Sequence, residues 1–158
     1  MVSKILKQMY STEPSGIVGN EDCGQMSSWY VLSSIGLFDA NPGDPYYIIQ
    51  TPLFDEIKIN LENGNNFIIQ SNNNNESYIY IKNVQLNGHN LNINYLHIKE
   101  ILNGGVLTIN KSDNPNNNWA SNDFYNTSID EKYNQLTLPR IVYNSNVFKD
   151  SIEIKIEA

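Results

Sequence analysis

The apolar residues of this chain change their period once, and that change limits the fold more than any other feature. Up to residue 36 the spacing is helical. Val2, Ile5, Leu6 and Met9 stand at i, i+3, i+4 and i+7, the one-face pattern of an amphipathic helix that ends before Pro14. A Gly-punctuated loop, Ser15 to Gly24, leads to a second helix predicted over Gln25 to Ile35, with Gly36 placed for a left-handed cap. Met26, Trp29, Tyr30, Val31, Leu32 and Ile35 spread around most of this helix, and Ser27, Ser28, Ser33 and Ser34 leave room for a neighbouring backbone. Such a helix is expected to be covered on several sides.

From Pro42 onward the period becomes two. Ile57, Ile59 and Leu61 alternate with Lys58, Asn60 and Glu62, and Asn63-Gly64 follows, which predicts a strand entering a hairpin. Strands are expected over Phe67 to Gln70 and Tyr78 to Leu86, around a tip at Asn72 to Asn75. The apolar positions slip from odd (Ile79, Ile81) to even (Val84, Leu86) near Asn83, as a β-bulge would require. Leu91 to Gly105 is mixed, with one helical turn at His97 to Leu102, before a strand at Val106 to Ile109. Asp113 to Leu138 is polar with little periodicity, and a last segment, Ile141 to Ile156, ends in alternating Ile152, Ile154 and Ile156. Two helices followed by several short strands predict a mainly β fold: an antiparallel β-sandwich preceded by two short helices.

A chain of 158 residues has material for one main globule, and a hydrophobic content of 40% argues for a packed core despite a mean hydropathy of −0.43. The net charge of −7, with ten scattered Lys and Arg, provides no basic stripe to neutralise phosphates. Nucleic acid and anionic membrane surfaces are therefore not expected as partners. No apolar run approaches the roughly 20 residues of a spanning helix, and nothing after Met1 reads as a signal peptide. The chain as given is expected to carry no export or membrane signal, and its compartment stays unknown. Cys23 is alone, so neither a disulfide nor a zinc knuckle stabilises the fold. About one residue in six is Asn, which we read as coding drift toward AT-rich codons rather than as a function.

The densest chemistry lies in Gly19-Asn20-Glu21-Asp22-Cys23-Gly24-Gln25-Met26-Ser27-Ser28-Trp29-Tyr30. Two carboxylates and an amide sit in a Gly-bounded loop just ahead of a helix. The glycines permit a tight turn, and the free N–H groups of the helix start favour an ionised carboxylate, the form a general base needs. From spacing alone, Asn20, Glu21 and Asp22 read first as helix caps.

This stretch resembles the signature of glycoside hydrolase family 92, in which Gly-Asn-Glu-Asp or Gly-Asp-Pro-Asp is followed by Gly-x-Met-Ser-Ala-Trp-Tyr; Ser28 stands where the family usually has Ala. The resemblance continues through Pro42-Gly43, Tyr46 and Tyr47, Thr51-Pro52-Leu53-Phe54-Asp55, Leu86-Asn87-Gly88, Gly104-Gly105-Val106-Leu107, and Asn116 to Trp119. It covers about residues 5 to 119, with several motifs in order.

The resemblance implies a calcium-dependent inverting exo-α-mannosidase built from an N-terminal β-sandwich, an (α/α) barrel and a C-terminal β-domain. It implies that residues 1–40 are the last barrel helices and a catalytic loop, that 41–120 form the C-terminal β-sandwich, and that 121–158 are a linker with the first strand of a further β module. Residues 140 to 156, with Val147-Phe148-Lys149-Asp150-Ser151, are similar to the first strand of a sandwich module of the β-hexosaminidase C-terminal kind that can follow this family. Asp22 matches the family's general base; Asn20 and Glu21 are expected to support it. The general acid and the calcium site lie in the family upstream of the part represented here. The resemblance therefore implies mannose-containing glycans as partners, an exported protein, and no activity for this segment alone.

Other signals are weaker. Cys23 has no His nearby in sequence, and a Cys-His nucleophile is set below a small packing residue. His97 and Glu100 have a helical spacing that could hold a metal, yet no further ligands follow. Asn75-Glu76-Ser77 and Asn126-Thr127-Ser128 fit a glycosylation pattern that an Asn-rich chain makes by chance. Tyr78 and Tyr80 could stack on sugars, which keeps open an alternative function as a non-catalytic carbohydrate-binding or structural β-sandwich.

Overall fold

The structure, a computed structural model, describes residues 2–73, 75–126, 140–143, 147 and 149–157. The chain divides into two compact units, Met1–Thr127 and Ser128–Ala158. The polar stretch from 127 to 138 lies outside the described residues, as do Asn74 in the expected tip, Phe148, and Thr127 and Ser128 of the second glycosylation triplet.

The first unit opens with helix α1 (Val2–Gln8), which buries Leu6. A single 3-10 turn (Asp22–Gly24) precedes helix α2 (Gln25–Ile35), whose bounds are those the sequence predicts. Gly36 ends α2 at φ +86°, donating its N–H to the carbonyls of Leu32 and Ser33, so the left-handed cap forms as expected. A Cβ at this position would lie 3.0 Å from the Gln50 carbonyl oxygen and 3.1 Å from Pro52. The close approach lets the end of the helix join the strand layer: Gln50 N–H donates to Gly36 O (2.8 Å) and Leu53 N–H to Ser34 O (2.9 Å).

Two sheets follow. Strands β1 (Leu37–Phe38), β2 (Tyr46–Ile49) and β7 (Tyr95–His97) form an antiparallel sheet in the order β1-β2-β7. Strands β3 (Glu56–Asn60), β4 (Asn66–Asn72), β5 (Tyr80–Leu86), β6 (His89–Leu91) and β8 (Gly105–Ser112) form the second, in the order β3-β4-β8-β5-β6. All pairings are antiparallel except β4 with β8, which run parallel, with Ile69 opposite Leu107. The crossover that parallel neighbours require runs through β5, β6, β7 and helix α3 (Ile98–Leu102), which leads into β8.

The inward side chains of both sheets share one core. Leu37, Ile49 and Leu96 come from the smaller sheet, and Phe67, Ile69, Val84, Leu107 and Ile109 from the larger. This makes the fold a mainly β sandwich preceded by two short helices. Strands β4 and β8 bury alternate residues, as a period of two dictates. Phe67, Ile69, Leu107 and Ile109 are fully buried, and each contributes roughly 1.5–3 kcal/mol of apolar burial. The slip near Asn83 is a register shift: Ile81 faces Lys111 and Asn83 faces Asn110, so Lys82 is the additional residue. On the outer face Asn72 Nδ2 donates to Asn110 Oδ1 (2.8 Å), and Asn110 Nδ2 to Asn83 Oδ1 (2.7 Å), a side-chain ladder across three strands.

Two separated sequence motifs meet where the end of β5 adjoins the start of β8. Asn87 adopts φ +52° and accepts the Val106 N–H on its Oδ1 (2.8 Å), while its own N–H donates to Val106 O (2.8 Å). A Cβ on Gly105 would collide with that Asn87 amide, so Leu86-Asn87-Gly88 and Gly104-Gly105-Val106-Leu107 work as one device.

In the second unit β9 (Arg140–Tyr143) and β10 (Ile154–Glu157) pair antiparallel, with Ile154 opposite Tyr143.

Candidate functional site

The loop ahead of α2 is shaped by left-handed backbone. Gly19 (φ +83°), Cys23 (φ +54°) and Gly24 (φ +79°) turn the chain into the helix, and Cys23 bears a cost there that glycine avoids. Glu21 closes the loop. Both of its carboxylate oxygens lie within hydrogen-bond distance of the Ser27 N–H, at 3.2 and 3.1 Å. Gly24 holds the N-cap position with no side chain to offer, so a carboxylate six residues before Ser27 satisfies a donor that a local Ser or Asp would otherwise take. Gln25 Nε2 reaches back to Asn20 O at 3.5 Å.

Asp22 begins the 3-10 turn and is exposed. Among the described residues its carboxylate forms no hydrogen bond or ion pair. The capping that spacing allowed to Asn20, Glu21 or Asp22 thus falls to Glu21, and Asp22 is left facing solvent. Asn20 is exposed, with its backbone carbonyl receiving Gln25.

An aromatic cluster fixes this segment to the start of the chain. The Tyr10 ring stacks on Trp29 (centroids 5.9 Å, planes 17° apart) and tilts against Tyr30 (4.8 Å). The Tyr10 hydroxyl donates to Met26 O (3.2 Å). Burial, and secondarily the negative charge of Glu21, push the Tyr10 hydroxyl above its ordinary range. Around the cluster Met9, Ile17, Val18 and Val31 are exposed, so α2 is not covered on all sides by the described residues.

Glu100 accepts the His97 backbone N–H on Oε2 (3.0 Å), and His97 Nδ1 accepts from Lys99 N–H (3.0 Å), a reciprocal capping box for α3. Cys23 is exposed in the turn. Among the described residues no three His, Cys, Asp or Glu side chains converge to hold a metal ion. With Glu21 taken up by Ser27, these residues do not by themselves form a calcium site, and no step below passes through one.

A second cluster gave no signal in the sequence because its members are far apart. Tyr46 packs edge-on against Tyr95 (5.3 Å) and His97 (5.1 Å), and Tyr125 lies against both Tyr46 and Tyr95. Tyr125 donates to Asp44 Oδ2 (2.8 Å) and Tyr95 to Asp123 Oδ1 (3.1 Å).

The family described as "Glycosyl hydrolase family 92 catalytic domain" matches residues 1–113. An uncharacterized secreted glycosidase of Arthroderma benhamiae is 32% identical over 103 residues, which cover 63% of this chain and 13% of that protein. A family GH92 α-mannosidase of Bacteroides thetaiotaomicron, solved in complex with mannoimidazole, is 31% identical with a TM-score of 0.71. The match covers 75% of this chain and 16% of the enzyme. A family GH92 inverting mannosidase of the same organism is 33% identical with a TM-score of 0.71, over 78% of this chain and 17% of its own. The chain thus spans less than a fifth of the length of these relatives.

Proposed function

The chain belongs to glycosyl hydrolase family 92, and from that premise we propose that it carries the water-activating side of an inverting α-mannosidase, with Asp22 as general base. The observation that supports this is the division of labour in the loop. Glu21 satisfies the helix start, and Asp22, one residue on, is exposed and has no hydrogen-bond or ion-pair partner among the described residues, at a turn shaped by glycine.

Inversion needs a carboxylate that takes a proton from water as the water oxygen attacks the anomeric carbon. A second, protonated carboxyl roughly 6.5–9.5 Å away gives its proton to the leaving oxygen. Asp22 fits the first role, since an unshared carboxylate keeps its lone pairs for the water. Glu21 acts as a positioning residue by tying the loop to α2, and Asn20 is suited to orient the water from the same turn. The acid and the calcium ligands then come from parts of the family fold beyond the stretch this chain spans. Residues 1–40 would close the barrel wall, 41–120 would brace it as a sandwich, and 121–158 would link to a further β module. The substrates are mannose-containing glycans met outside the cell, in keeping with the word "secreted" in the name of the Arthroderma relative.

On this reading the 158-residue polypeptide alone hydrolyses no α-mannoside, with or without calcium, because one carboxylate supplies half of the acid–base pair. A chimera in which residues 1–113 replace the matching stretch of the Bacteroides enzyme should release mannose, with the β-anomer appearing first in the proton NMR spectrum. Mannose release by the isolated chain, or first appearance of the α-anomer from the chimera, would overturn the reading.

A further inference from the structure

We infer that the cleft between α1 and the segments 76–81 and 115–119 is a binding site for a neutral oligosaccharide. The cleft has a volume of about 700 Å³, within the roughly 300–1,000 Å³ of small-ligand sites, and no residue of the 19–30 segment lines it. The inference does not depend on the role of Asp22.

The lining selects the ligand. Tyr80, 40% exposed, and Trp119, half-buried, both line the cleft. The Trp119 indole N–H is already spent on Leu91 O (2.9 Å) and the ring packs against the core, so it is fixed and only its cleft-lining side is available. Two such aromatic surfaces match the C–H faces of pyranose rings. Lys7 is paired with Glu76 at 3.3 Å across the cleft, so its charge is compensated. Lys4 on the rim makes no ion pair among the described residues, and Gln8 and Asn117 are exposed amides. Donors and acceptors beside aromatic faces, with little net charge, suit a polyhydroxylated neutral ligand. A purely apolar ligand would leave these rim groups unused, and two lysines against one glutamate leave a single positive charge at the cleft, too little to hold a polyanion on a protein of net charge −7.

The test uses the full 158-residue chain. Trp29 and Trp119 are its two tryptophans, so Trp29→Phe leaves Trp119 as the sole indole reporter. Titration with α-mannobiose should shift the Trp119 emission saturably. Tyr80→Ala should weaken the affinity about tenfold, the worth of one aromatic contact. Asp22→Asn should leave it unchanged. Amide NMR shifts of the unsubstituted chain give a readout independent of Trp29→Phe, and should move at residues 4–8, 79–81 and 116–119. An emission and amide spectrum indifferent to the sugar would overturn the inference. So would a response to inorganic phosphate in place of the sugar, an affinity unchanged by Tyr80→Ala, or a response lost on Asp22→Asn.

Discussion

Replacing Glu21 by Ala should destabilise the first unit, whereas replacing Asp22 by Ala should not. The two residues are adjacent, equal in charge and both exposed, so composition and burial predict equal effects. Geometry predicts otherwise. Both Glu21 oxygens lie 3.1–3.2 Å from the Ser27 N–H, and removing them leaves one donor at the start of α2 without its protein partner. Loss of a side-chain cap costs about 1 kcal/mol, with an upper end near 2 kcal/mol. For a unit of this size about 1 kcal/mol corresponds to a fall in Tm of about 4 °C. Asp22→Ala removes no hydrogen bond or ion pair among the described residues and should stay within about 0.5 kcal/mol of the parent. Calorimetric melting of the parent and both variants measures the difference, and Glu21→Gln, which keeps an acceptor, should lie between. Equal melting temperatures for Glu21→Ala and Asp22→Ala would refute the division of labour between the two carboxylates.

Gly105→Ala should cost about 1–3 kcal/mol, because a Cβ at φ +132° meets the Asn87 amide; urea unfolding measures it, and the relief of that cost in Gly105→Ala/Asn87→Gly would identify the clash. Leu107→Ala, at a fully buried position in the strand between β4 and β5, should cost about 2–5 kcal/mol in the same assay. Tyr95 is held above its ordinary range by burial and by its bond to Asp123, and Tyr125 by its bond to Asp44. The folded state keeps these protons after the unfolded chain loses them near pH 10, so their stabilisation is complete below pH 10 and is lost as pH rises through the higher folded values. Melting temperature followed from pH 9 to 12 should fall less steeply in Tyr125→Phe than in the parent. The exposed Met9, Ile17, Val18 and Val31 should bind a hydrophobic dye, and Val31→Gln should reduce that fluorescence without lowering Tm.

The legible parts of the fold were those in which one period runs long enough to register. Helix α1, the Asn63-Gly64 hairpin and the bulge near Asn83 could be read because a repeating apolar face continued on either side of the feature, and α2 because Gly24 and Gly36 bound an unbroken helix-compatible run. Strand β1 has two residues and β7 has three, too few for alternation to differ from chance, and β2 reads Tyr-Tyr-Ile-Ile with no alternation. The parallel pairing of β4 with β8 depends on a crossover of more than thirty residues, and no local pattern encodes it. At the site, the Gly-Asn-Glu-Asp loop was visible from residue types alone. Which carboxylate caps and which stays free was not visible, since the answer rests on two left-handed residues, Cys23 and Gly24, that direct Glu21 back toward Ser27. The cleft residues Tyr80 and Trp119 lie on segments far apart in sequence and are joined only by the fold.

The mannosidase chimera gives the most direct measurement of whether Asp22 activates the water. Its kcat should fall by about 10²–10⁴-fold in Asp22→Asn, with melting temperature unchanged, and should fall far less in Glu21→Gln. An Asp22→Asn chimera that turns over as fast as its parent would contradict the assignment.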